Sequence, residues 1–145
     1  MNNVVELTSP GLTAVKLPNK VSYEEAFKIV STHIIDTQVG VLDSTVNDFT
    51  VTGHGLKLSF TDVPKSAKIL LRTPFDVIVE VSQKAAVFAV EVLTFNWMSW
   101  KFASNGNDEL GQRASDEYKR RMRLLYQGGS GLTKHDVEMV VRYLD

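Results

Sequence analysis

The stretch TPFDVIVEVSQKAAVFAVEVLTFNWMSWKF, Thr73 to Phe102, decides the fold. Two readings compete for it. As strands, Val77, Val79 and Val81 face one way, a turn falls near Gln83, and the chain returns through Phe88 and Val90; the valine content suits that. As a helix, Thr73-Pro74-Phe75-Asp76 is a start signal with Pro74 at the first helical position. Asp76, Glu80, Lys84, Glu91, Thr94 and Lys101 then fall on one polar stripe, at spacings close to multiples of 3.6. The stripe persists past the point where a hairpin must reverse. The spacing therefore predicts a long central apolar helix near 74–103, about 43 Å at 1.5 Å per residue, ended by Asn105-Gly106-Asn107.

The flanking segments carry clearer signals. Ser22-Tyr23-Glu24-Glu25 is a capping box, and Tyr23, Phe27, Val30 and Ile34 follow as one stripe of a helix ending near Asp36. From 38 to 61 the period changes to two, with Gly53-His54-Gly55 between the alternating runs. This predicts a small antiparallel sheet or hairpin. A charged helix is expected over Asp108–Gln127, buried along Ala114, Tyr118, Met122 and Leu125. Another is expected over Lys134–Leu144, capped by Thr133, with Asp136 in its first turn. The fold class expected is α+β: the sheet near 38–61 packed with three to four helices. Residues 1–20, with two prolines and little periodicity, read as an extended N-terminal arm, and 21–145 as a single domain.

Composition narrows the function. The chain has 145 residues, 43% apolar and 23% charged, which suits a packed core rather than global disorder. A net charge of −1 leaves no whole-molecule field for nucleic acid or anionic lipid, so any such attraction must come from a local patch. The absence of cysteine removes disulfides, thiolate nucleophiles and cysteine-ligated metal sites. The opening MNNVVELTSPGLT lacks the basic start and apolar run of a signal peptide. Glu91 and Asn96 interrupt the most apolar stretch. The expectation is a soluble protein of the cytoplasm or cell interior, without membrane contact.

Candidate chemistry is sparse. His33, His54 and His135 share no i, i+4 spacing for a metal, and no nucleophile elbow or phosphate loop is present. No cofactor, metal site or catalytic residue is expected. In KRRMRLLYQGGSG, Lys119 to Gly131, the cations Lys119, Arg120 and Arg123 lie off the apolar stripe. With Lys134 they are the candidate nucleic-acid or anion-binding set. Against that, Asp116 precedes Arg120 by four and Glu117 precedes Arg121 by four, the order of helix ion pairs. The run FNWMSWKF puts Phe95, Trp97, Met98, Trp100 and Phe102 in eight residues, more than one face of a small core accommodates. These five are the candidate subunit interface.

A polar arm, a hairpin, a long apolar helix, an Asn-Gly-Asn-Asp break and a charged helix follow one another. In layout this resembles the small adaptor proteins of phage head–tail junctions; no residue motif carries the resemblance, and no functional residue is transferred. The expected function is a non-catalytic protein–protein interaction or assembly subunit of a homo- or hetero-oligomer. A viral structural or connector component is one form of it. The alternative is a small nucleic-acid-binding or regulatory protein using the Lys119–Arg123 face.

Overall fold

A computed structural model of the chain describes residues 15–18, 20–37, 39–41, 49–51, 58–60, 66–72 and 76–144. The Gly53–Gly55 loop and most of the 1–20 arm lie outside the described residues. Of the arm, Val15 is buried and Leu17 half-buried against the core. Helix α1 runs Tyr23–Thr37. Short strands follow: β1 Val39–Val41, β2 Phe49–Val51 and β3 Leu58–Phe60, then the longer β4 Ser66–Arg72 and β5 Asp76–Ser82. Helices α2 Gln83–Ser104, α3 Asp108–Gln127 and α4 Lys134–Leu144 complete the order. Helix dominates the described residues. β4 pairs antiparallel with β1 on one side and β5 on the other, while β2 pairs with β3.

The expected helix over 74–103 is corrected in its first third. Residues 76–82 form β5, in register with β4 from Ser66 opposite Ser82 to Arg72 opposite Asp76. Alternating Val77, Val79 and Val81 outweigh the carboxylates at helical spacing, because a β-branched run gains a partner strand. Asp76 and Glu80 therefore share no helix with Lys84 and Glu91. The polar stripe dissolves further along as well. Thr94 is fully buried, its hydroxyl donating to the Val90 carbonyl at 2.7 Å.

Helix α2 is the centre of the molecule. Ala85, Ala86, Val90, Val92, Leu93, Phe95 and Met98 point in all directions around it, and every one is buried. A helix apolar on all sides is stable only when surrounded. Helices α1, α3 and α4 and the sheet supply that surround. At the α2–α3 crossing Gly111 allows a close approach of the two backbones. A Cβ there would lie 3.3 Å from the Ala103 nitrogen and the Ser99 carbonyl.

Local signals set the helix ends. The Glu25 amide donates to the Ser22 hydroxyl at 3.0 Å, and the Leu110 amide to the Asn107 side chain at 3.1 Å. Helix α3 stops at Gly128, whose φ of 86° an L side chain rarely adopts. The start of α2 and the start of α4 are tied together. The Ala85 amide donates to the Ser82 hydroxyl (3.1 Å), and that hydroxyl donates to the Asp136 carboxylate (2.6 Å). The Ser82 amide donates to the other Asp136 oxygen (3.1 Å), and the Asp136 amide donates to the Thr133 hydroxyl (3.1 Å). One buried carboxylate thus fixes the strand-to-helix turn and the seating of α4.

Burial alone would raise the Asp136 carboxyl; hydrogen bonds from Ser82 and Thr133 outweigh it and hold it below the ordinary value. A depressed carboxyl contributes stability above its unfolded pKa, near ~3.9, and loses it as pH falls through the folded pKa. Asp136→Ala leaves the Ser82 amide without its acceptor, and is expected to cost about 1–3 kcal/mol in urea unfolding at neutral pH. The gap between wild type and variant should narrow as pH is lowered below about 4.

Candidate functional site

The five aromatic and methionine candidates separate. Phe95 and Met98 are fully buried, and Trp97 and Phe102 each expose 3%. Phe95 packs on Phe27 with ring centroids 5.0 Å apart and on Tyr23 at 6.3 Å, and Phe102 stacks on Tyr23 at 6.5 Å. These four belong to the core, which corrects the expected five-residue interface. A shorter helix enclosed on several sides offers cover to rings that point in different directions, so the aromatic surplus vanishes. Trp100 alone remains outside, 49% exposed.

The seam between α2 and α3 is charged. Arg121, 11% exposed, reaches Glu91 on α2 at 3.3 Å and Glu117 on its own helix at 2.6 Å. Its guanidinium lies 4.5 Å from the Phe95 ring centre. Arg120 also turns to Glu117, at 3.1 Å, rather than to Asp116. Asp116 instead accepts from the Gln112 amide at 2.8 Å. Burial pushes the Glu91 carboxyl above its ordinary value, against the pull of Arg121. Burial pushes Glu117 the same way, but hydrogen bonds from Arg121 and Arg120 win and hold it low. Sequence reasoning places Glu91 on a wet stripe and finds only the Glu117–Arg121 part of this network, which has a local spacing signal.

Lys119, Arg120, Arg123 and Lys134 are all exposed. They do not act as one patch: Arg120 is spent on Glu117, and Lys134 opens a different helix. Lys119 and Arg123 form no ion pair among the described residues. They border a groove of about 380 Å³ on the outer side of α3, completed by Tyr118, Met122, Tyr126 and Gln127. Tyr118 and Met122, expected in the buried stripe, are only half-buried, and Tyr126 is 64% exposed. Burial and the neighbouring Tyr126 push the Tyr118 phenol above its ordinary pKa.

A second, open depression of about 960 Å³ lies at the α2–α3 junction, bordered by Lys16, Leu17, Lys101, Asn105, Asp108 and Glu109. Lys16, Asp108 and Glu109 are exposed side chains rather than a buried acid–base pair. Among the described residues no cluster of histidine and carboxylate side chains fits a metal ion, and no helix is long and apolar enough to cross a membrane. Comparison of the chain with protein-family models, with curated proteins and with solved structures yields no match.

Removing Arg121 leaves two carboxylates without their main partner, one of them inside the seam. Arg121→Met is expected to cost about 3–5 kcal/mol in chemical denaturation. Glu91→Gln keeps Arg121 paired with Glu117 and relieves a buried charge, so its cost should stay under about 1.5 kcal/mol. Equal costs for the two variants would contradict this division of roles.

Proposed function

We propose that the chain is a non-catalytic interaction or assembly subunit of a homo- or hetero-oligomeric particle, built on a helix-rich α+β domain. One observation carries the reading. Tyr126 is 64% exposed on α3, and with Tyr118 and Met122, which are half-buried and also pack against the core, it lines a groove bordered by Lys119 and Arg123. Aromatic side chains, methionine and arginine are the residues enriched in protein interfaces. Trp100 adds a second exposed ring. A connector-type component of a viral particle is one form this role takes.

The nucleic-acid reading draws on the same groove, where Tyr126 offers a stacking surface beside two cations. It has less support. With Arg120 engaged, two free cations neutralise about two phosphates, a weak and salt-sensitive hold. Light scattering from low micromolar to the highest soluble concentration is expected to give masses above that of one chain, rising with concentration. A single-chain mass throughout contradicts the homo-oligomeric form of the reading and leaves only the hetero-oligomeric one.

A further inference from the structure

We propose that the outer stripe of α3 pairs antiparallel with the same stripe on a second copy of this chain, about a two-fold axis near Glu117. The inference rests on the assembly reading and names its partner. Asp108, Gln112, Ser115, Lys119, Met122 and Tyr126 recur at alternating steps of four and three, the spacing of one continuous helix face. Four of the six are exposed, and Ser115 and Met122 are half-buried. Asp116 and Arg123 flank the stripe one position on, both exposed.

The charges on this face are self-complementary. Asp108 and Asp116 occupy its first half, Lys119 and Arg123 its second. None of these four forms an ion pair among the described residues; the partner of Asp116 is the neutral Gln112 amide. In an antiparallel pair the acidic half of one copy lies along the basic half of the other. With the axis near Glu117, Lys119 falls beside Asp116 of the second copy, and Arg123 lies within one turn of its Asp108. Met122 then faces Gln112 of the second copy and Tyr126 faces its Asp108, and each contact repeats about the axis. A parallel pair would set like charges against each other.

The helix dipole explains acids first and bases last. It does not explain Met122 and Tyr126 set into the same stripe, or a groove between the bases. Asp108 and Asp116 on this face also repel a nucleic-acid strand or an acidic peptide running along it, whereas a second copy uses them. A net charge of −1 puts little self-repulsion in the way. One helix-on-helix contact lies at the small end of interfaces, below about 1,200 Å², so the dimer is expected in the micromolar range or weaker.

Sedimentation velocity on two charge-reversed variants and on their mixture tests this. Lys119→Glu with Arg123→Glu makes the stripe wholly acidic; Asp108→Lys with Asp116→Lys makes it basic. All four positions are exposed, and circular dichroism checks that the helices persist. Each variant alone is expected to raise the dimer Kd by about 100-fold or more through facing like charges. An equimolar mixture should recover dimer to within about tenfold of wild type, because an acidic stripe then faces a basic one. Wild-type association unchanged in both variants overturns the α3 pairing and leaves the assembly reading standing on another face. A wild type that stays monomeric to its solubility limit overturns the pairing together with the homo-oligomeric form of the assembly reading. A monomer that binds a single-stranded oligonucleotide through Lys119 and Arg123 overturns the pairing in favour of nucleic acid.

Discussion

A helix with buried side chains on every side must be enclosed, and that demand from α2 organises the molecule. Val90, Phe95 and Met98 point in different directions, yet each is fully buried. No single neighbour achieves that. Helix α1 brings Tyr23 and Phe27 against Phe95, α3 crosses closely at Gly111, and α4 closes over the start of α2. Burial of each large side chain contributes about 1.5–3 kcal/mol, so α2 and its neighbours carry much of the gain that offsets chain ordering.

Polar contacts then decide how the enclosure is registered. Arg121 spans the α2–α3 seam, with a carboxylate on each side and the Phe95 ring beneath. Buried ion pairs add little net stability, but a mismatched one is expensive, so they discriminate against shifted packings. Asp136 does the same at the start of α2 by holding Ser82. Both interactions join residues far apart in the chain, and both leave the helix surfaces facing solvent free for other work. Because the core absorbs Phe95, Trp97, Met98 and Phe102, the large apolar side chains left exposed among the described residues are Trp100 and Tyr126.

The three amphipathic helices were legible because their signals are local. The Ser22 cap, the Asn107 break, Gly128 and Thr133 mark ends within a turn of where the hydrogen bonds form. The strand over Asp76–Ser82 was not legible, because its partner is a different segment, Ser66–Arg72, and pairing is a non-local gain. Asp76, Glu80 and Lys84 also sit at helical spacing and mimic an exposed face. Four of the five interface candidates lie in the core for a related reason. A run of aromatics reports how much apolar surface needs cover, not whether neighbours in the same chain provide it. Lys119 and Arg123 were readable as exposed cations, whereas the groove they border was not, since Tyr118 and Met122 look like core positions by period alone.

Native-state hydrogen exchange across α2 tests the enclosure most directly. If α2 is the centre of one cooperative core, the amides from Val90 to Met98 exchange only through global unfolding, with an opening free energy equal to the stability measured by denaturant. Exchange there through a cheaper local opening, while α3 or α4 stays protected, would contradict the account.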